Sequence, residues 1–261
     1  MPRAIQTVAG FFTAAGAGTN AATPSPGDSF AVAQYAQGSR ASLGQIWASG
    51  ASTDFIRVRS PRLHDANQGL RIFVGASLRR RLLPWELYEP VYAADTPTVE
   101  LDATAATTSG ICLTYEYDDL GGAQARLANA SDVLPRILHT AGVEVDVTSG
   151  AIGAWGASAA INSVFDNFEA GADYALLGYT CSVACLGIAI TGKDTANLKI
   201  GMPGDTDPLQ TQDYFVKAAE WSGAPYIPII AANNKGSTIL QSVDTAAATV
   251  SKVTLLLAQL G

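Results

Sequence analysis

Residues 56–72 read IRVRSPRLHDANQGLRI, and residues 188–200 read IAITGKDTANLKI. Each segment opens with alternating apolar and other residues, passes through a turn with Asp and Asn, and closes on Leu, a basic residue and Ile. Alternation with a period of two places the apolar side chains on one face of a β-strand. Both segments therefore predict a pair of strands joined by a turn, and their likeness predicts that the chain contains two similar halves.

The segments on either side of these two stretches also repeat, and they do so in the same order. The matched pairs are residues 5–10 with 145–150, residues 29–35 with 173–179, and residues 110–115 with 252–257. Four ordered matches favour a duplication. The alternative is one β domain whose strands share a composition by chance. If the chain is duplicated, the first half spans 1–120, a helical linker spans 121–141, and the second half spans 142–261.

The remaining sequence also favours strands, with only two short helices. Val143–Val147 alternates cleanly, and Gly, Pro, Asn and Asp separate the β-branched runs along the chain. One helix is predicted over 131–138 with Pro135 in its first turn, and a second over 212–221, opened by Thr211 and stopped by Gly223. The fold class is therefore all-β, built as sandwiches or barrels.

The alternating strands also predict which side chains form the core. One face of each strand carries the large aliphatic residues, which should be buried between two sheets. These residues are Ile56, Val58, Leu70, Ile72, Ile188, Ile190, Leu198 and Ile200.

The composition restricts the class of partner. Charged residues make up only 15% of the chain and hydrophobic residues 48%. A surface with so little charge tends to associate, which predicts a homo-oligomer, although an ordinary secreted β protein stays an alternative. The net charge of −7 argues against direct nucleic-acid binding, which needs clustered Lys and Arg. The basic run 79–81 is interpreted as a solvated turn or a subunit contact.

The sequence predicts neither a membrane segment nor an export signal. No apolar run approaches the roughly 20 residues of a membrane span, and the N-terminus lacks the pattern of a signal peptide. The protein is therefore expected to be made and used without export.

No catalytic, cofactor-binding or metal-binding residue is predicted, so the protein is expected not to be an enzyme. His64 and His139 have no metal-ligand spacing, and the His64-Asp65 turn corresponds to Lys193-Asp194 in the second half, where the His is absent. Asp205 and Asp207 are spaced like calcium ligands but lack the further oxygens that calcium needs, so a structural calcium there is left open. Acidic residues 116, 118 and 119 are interpreted as a solvated strand end.

The cysteines and tryptophans are assigned structural roles. Cys112, Cys181 and Cys185 are predicted to be buried free thiols, the last two on one face of a single strand and too far apart to bridge. The tryptophans are scattered, which favours core or subunit-contact roles over a sugar-binding platform. They are Trp47, Trp85, Trp155 and Trp221.

Two segments lack large apolar side chains and could be ordered by a neighbouring surface, with mobility of residues 13–29 as the alternative. They cover residues 13–29 and 102–109, which are rich in Ala, Gly, Ser and Thr. Such segments have too little apolar surface to fold on themselves.

Two tandem β halves of about 120 residues, joined by a helical linker, resemble the double jelly-roll major capsid proteins of icosahedral bacterial or archaeal viruses. Segments 60–65 and 173–179 are also similar to structural proteins encoded by bacterial viruses. The resemblance implies two tandem jelly-roll-like β-sandwiches and a homotrimer whose six jelly rolls form a pseudo-hexagonal capsomer in the virion, made in the host cytoplasm. Its partners would be itself and other capsid proteins. A phage-head decoration or cement protein and a carbohydrate-binding β-sandwich stay open as alternatives.

Overall fold

The computed structural model describes residues 4–35, 37–50, 55–60, 67, 69–73, 79–82, 89–122, 124–161 and 168–261. Most of the described chain is β-strand, and the strands occur in two series. The first series comprises β1 Ala4–Ala14, β2 Gly18–Ala21, β3 Thr23–Pro24, β4 Ala41–Ser49, β5 Phe55–Arg59, β6 Leu70–Phe73, β7 Arg79–Leu82, β8 Glu89–Val91, β9 Thr98–Ala103 and β10 Thr107–Tyr117.

The second series contains the described helices, and its short first strand precedes the first of them. Its strands are β11 Leu127–Ala128, β12 Ile137–Thr148, β13 Ala159–Ala160, β14 Asp173–Cys181, β15 Cys185–Thr191, β16 Ile200–Gly204, β17 Ile227–Ala231, β18 Ile239–Val243 and β19 Val250–Leu260. The helices are α1 Ala130–Val133, α2 Pro208–Thr211 and α3 Tyr214–Ser222, and 3-10 turns span Leu134–Arg136, Lys193–Thr195 and Ala232–Ser237.

The described strands form four antiparallel sheets. Sheet I has the order β3-β1-β10-β4-β7, with β8 also pairing with β4, and sheet II has the order β2-β9-β5-β6. Sheet III has the order β11-β17-β14-β19-β12, and sheet IV has the order β13-β18-β15-β16.

The strand orders of the two series correspond, with β12 as the counterpart of β1 and with the short strands β3 and β11 as additions. The long strands β1 and β12 each pair with the last strand of their series, the last strand pairs with β4 or β14, and β2 or β13 lies at the end of the facing sheet. Two facing four-stranded sheets with these crossovers form a jelly roll. The predicted all-β class with two tandem jelly-roll-like sandwiches is thus confirmed. The boundaries at 120 and 142 remain a prediction.

Each sandwich has its own core between its two sheets. The first contains Val8, Ile56 and Leu113, and the second contains Val145, Ile188 and Leu255. Of the predicted core residues, the six β-branched ones are buried, whereas Leu70 and Leu198 are only half-buried. Leu198 packs against the first core, although it belongs to the second half.

Three of the four sequence matches fall on corresponding strands. They pair β5 and β6 with β15 and β16, β1 with β12, and β10 with β19. The match of residues 29–35 with 173–179 is wrong, because 173–179 lies in β14, whose counterpart is β4. The β1 match is out of register: it aligns Val8, which faces the core, with Thr148, which faces outward.

Several local predictions need correction. The linker helix stops at Val133, and Ile137 and Leu138 already belong to β12, because Pro135 allows only a 3-10 turn there. The later helix starts at Tyr214 rather than after Thr211, which ends α2, but Gly223 does stop it with φ +61°.

The basic run 79–81 lies in strand β7, so the predicted turn is wrong. Its hydrogen-bonded pairing with β4 makes it part of sheet I. Whether its side chains contact another subunit lies outside what the structure describes.

Candidate functional site

The two sandwiches are joined through unlike faces. The face of sheet I that points away from its own core packs against the face of sheet IV that points away from the second core. A small separate cluster of buried residues fills this contact: Ala9, Trp47, Cys112, Leu186 and Val243. The interface therefore resembles a third, thinner core inside one chain.

Buried hydrogen bonds fix the register of this contact. The Thr7 N–H donates to the Lys199 carbonyl at 2.7 Å, and the Gly201 N–H donates to Thr7 Oγ1 at 2.8 Å. The Thr7 hydroxyl also shares a 3.0 Å hydrogen bond with the hydroxyl of Thr114. Strand β1 is thus bonded to β10 along its edge and to β16 across the interface.

Side chains of β4 make the same connection farther along. Trp47 Nε1 donates to the Leu186 carbonyl at 2.9 Å, and Gln45 Oε1 accepts from the Tyr214 hydroxyl at 2.7 Å. The Gln45 amide also donates to the Tyr226 hydroxyl. Since all of these groups are buried, losing one partner would leave an unsatisfied polar group.

A charged cluster at the rim of the interface fixes the position of the loop after β3. Asp28 accepts hydrogen bonds from the Ala9 N–H at 2.8 Å and from Trp155 Nε1 at 2.7 Å, and it forms a salt bridge with Lys199. Ser25 in the same loop donates to the Gly153 carbonyl. The segment 13–29 was predicted to be ordered by a neighbour, and here Trp155, Lys199 and Gly153 of the second half of its own chain supply contacts to it.

The outward face of sheet II carries a ladder of charged residues. The Arg59 guanidinium donates two hydrogen bonds, of 3.0 and 2.8 Å, to the Glu100 carboxylate. The Arg57 guanidinium lies 3.4 Å from the Asp102 carboxylate. These hydrogen bonds with Arg59 lower the pKa of Glu100, partly against the effect of burial. The side chains of these four residues are between 13% and 33% exposed, so the face is ordered but still accessible to solvent.

The outward face of sheet III is more exposed and mostly acidic along β12 and β19. Lys252 Nζ lies 2.9 Å from Glu144 and 3.8 Å from Asp146. The Glu144 side chain is 39% exposed and the Asp146 side chain 63%. We call this group, with Thr254 beside it, the acidic strip.

The residues considered for chemistry do not come together as a site. His139 is exposed on β12, while His64 and Asp65 lie outside the described residues. Asp205 and Asp207 each accept a 3.0 Å backbone hydrogen bond two residues ahead, so both act as turn and helix-capping residues. Within the described ranges, no three His, Cys, Asp or Glu side chains are grouped as a metal site requires.

Two acidic residues are more deeply buried than the sequence indicated. Glu116 was assigned to a solvated strand end but is only 3% exposed, against the backbone of Gly44. Asp194 accepts hydrogen bonds from the Ala231 N–H at 3.0 Å and from Asn234 at 2.9 Å. It therefore connects distant segments, and alternation alone gave no signal for either role.

The three cysteines are free and buried, as predicted. Cys181 ends β14 and Cys185 begins β15, so they lie on different strands and the single-strand interpretation is wrong. Burial raises the pKa of Cys181 to about 12 and that of Cys112 well above its ordinary value. A thiol with a raised pKa is a poor nucleophile at neutral pH.

The tryptophans also separate. Trp47 and Trp155 belong to the interface between the sandwiches, and Trp221 is 58% exposed on α3. Trp85 lies outside the described residues. The described tryptophans therefore do not form a common platform.

Fold and interface together define an all-β protein made of two jelly rolls joined face to face. No family model matches the chain, and none of the curated proteins matches it. Among solved structures it is similar to the major capsid protein P2 from bacteriophage PM2, at 8% identity over 97% of this chain and 98% of that chain, with a TM-score of 0.25. That score is too low to carry an argument about fold or function. None of the described helices has the length and apolarity needed to cross a bilayer.

Proposed function

We propose that this protein is a viral major capsid subunit, without catalytic activity, that assembles into homotrimers and then into an icosahedral shell. The observation that carries the proposal is the contact between unlike faces inside one chain. Sheet I of the first jelly roll is covered by sheet IV of the second, which leaves sheet II at one end of the stack and sheet III at the other.

Such a chain has the geometry of a repeating unit. Sheet III is the counterpart of sheet I, and sheet II is the counterpart of sheet IV. The two outward faces of one copy are therefore equivalent in topology to the two faces that pack together inside the chain. Copies can therefore join head to tail by repeating the in-chain contact, and a heterologous contact of this sort closes into a ring when its rotation allows. Three copies would place six similar jelly rolls around one axis, as a flat tile for a shell.

The jelly roll is used by viral capsid domains but also by lectins and cupins, so the fold alone does not decide function. The low charged fraction adds support, because a charge-poor surface favours self-association. The proposed location is the virion, with the protein itself and other capsid proteins as partners and with no direct contact to nucleic acid.

Sedimentation velocity and electron microscopy of the purified protein test this proposal. We expect a homotrimer at micromolar concentration and shells or hexagonal tiles at higher concentration. Trimers that never form tiles would favour a decoration or cement role. A stable monomer that binds glycans would overturn the capsid role in favour of a carbohydrate-binding module.

A further inference from the structure

We infer that the contact between copies is ionic, with the charged ladder of sheet II docking onto the acidic strip of sheet III in the next copy, so that ionic strength controls ring closure. The inference rests on the proposed head-to-tail assembly and assigns its surfaces and their chemistry. The occupant of each face is thus a second copy of this chain.

Strand pairing identifies corresponding positions on sheets I and III. Ala9 pairs with Cys112 in sheet I as Glu144 pairs with Thr254 in sheet III, and each pair points away from its core. Two residues farther along, Phe11 corresponds to Asp146. Positions that are apolar in the covered face are therefore acidic in the exposed one.

The same change occurs between sheets IV and II. Ile188 in sheet IV and Ile56 in sheet II occupy equivalent core positions. By the same alignment, Ala189 is equivalent to Arg57, and Val243 is equivalent to Asp102. Val243 is fully buried in the contact inside the chain, whereas the Asp102 side chain in the ladder is 23% exposed. The contact between copies would thus bring charged side chains together at positions where the contact inside the chain has apolar ones.

The two outward faces also have opposite net charge. The ladder contains Arg57, Arg59 and Arg71 against Glu100 and Asp102, which gives +1. The acidic strip contains Glu144 and Asp146 against Lys252, which gives −1. Complementary charge steers partners together and fixes their register.

Both halves of the chain are net negative, but most of the negative charge lies in the second half. Residues 1–120 contain nine Lys and Arg and eleven Asp and Glu, whereas residues 142–261 contain five and eleven, so the net charges are −2 and −6. Seven of the eleven arginines fall within residues 57–81. In a head-to-tail ring, Arg57, Arg59 and Arg71 on sheet II of one copy meet the more acidic half of the next.

Sedimentation velocity of the full chain between about 0.05 and 1 M NaCl tests the inference, because exposed charges are screened over this range. We expect the trimer to dissociate at least tenfold more readily at high salt. The double variant Glu144→Lys and Asp146→Lys should weaken the trimer at least tenfold at low salt, since like charges would then face each other. Both residues are exposed, so the fold should tolerate the change.

The matched control is Asp132→Lys with Glu220→Lys, which makes the same charge change at two exposed residues of helices α1 and α3 and should leave the trimer intact. The neutral pair Glu144→Gln and Asp146→Asn should weaken the trimer less than the lysine pair does. Circular dichroism verifies the fold of each variant. A trimer insensitive to salt and to the lysine pair would overturn the ionic contact while leaving the capsid proposal standing. A monomer at every salt concentration would instead overturn the proposed assembly itself.

Discussion

At the scale of single residues, burial follows from alternation wherever a strand has one face in a core. Ile56 and Ile188 were predicted to be buried because apolar residues recur at every second position, and both are fully buried. The same rule does not predict burial of the other face of a strand when both faces are covered. In β1, Thr7 and Ala9 are buried as well as Val8, because the opposite face packs on another sheet. A pattern of period two cannot identify that second contact.

Ile190 provides a direct test of the second core. It is fully buried between sheets III and IV, so Ile190→Ala should lower the free energy of unfolding by about 2–5 kcal/mol. Val250, which is 58% exposed, supplies the control, and Val250→Ala should change stability by less than about 0.5 kcal/mol. Urea titration measures both. Equal small losses would place Ile190 outside the core.

Gly201 tests how closely the two sandwiches approach. A Cβ at this position would lie 2.5 Å from Cγ2 of Thr7, whose β-branched side chain has little freedom to move. Gly201→Ala should therefore destabilise the protein by about 1–3 kcal/mol through overpacking. Gly16→Ala is the control, because nothing lies within 4 Å of the added atom. If the two variants were equally stable, the interface would have to be looser than these distances imply.

At the scale of elements, strands were more predictable than the segments between them. Val143–Val147 lies inside β12, yet the strand begins at Ile137, where the sequence suggested a helix. Pro135 explains the difference, since it restricts the backbone to a single 3-10 turn before the strand starts. Gly and Pro in residues 201–204 are typical of a turn, but pairing with β15 makes this segment a strand. Tertiary pairing overrides local preference at such places.

The ladder on sheet II should make stability depend on pH. Hydrogen bonds from Arg59 lower the folded-state pKa of Glu100 below its ordinary value of 4.5. The stabilisation is therefore fully present above the unfolded pKa and is lost as pH falls through the lower folded pKa. Glu100→Gln should be less stable than the original protein at pH 7, and the difference should shrink below about pH 4.

Urea unfolding between pH 7 and pH 3, at one protein concentration, measures this difference. Glu220→Gln on α3 is the control for removing a carboxylate, and Glu220 is exposed. A gap between Glu100→Gln and the original protein that stays constant across the pH range would contradict the assigned ion pair.

At the scale of the whole molecule, the two tandem sandwiches were predictable and the way they join was not. Repeats in 56–72 and 188–200 fall on corresponding strands because both halves must bury the same aliphatic positions. The junction depends on Trp47, Cys112 and Leu186, which share no local pattern and meet only through the tertiary fold. Interface residues that are scattered along the sequence can be identified only once the arrangement of the sheets is known.

The buried junction predicts that the two jelly rolls open together rather than separately. Cys112 lies between the halves and is fully buried, while Cys185 lies in the second core at 5% exposure. Burial raises the pKa of both thiols, so neither should react with a thiol reagent until its surroundings open. If separating the sandwiches costs as much as unfolding them, both cysteines should be labelled at the same rate over a range of urea concentrations. Mass spectrometry of labelled peptides gives the two rates independently. Faster labelling of Cys112 in mild urea would mean that the halves part as intact bodies, and Gly201→Ala should then accelerate Cys112 without affecting Cys185.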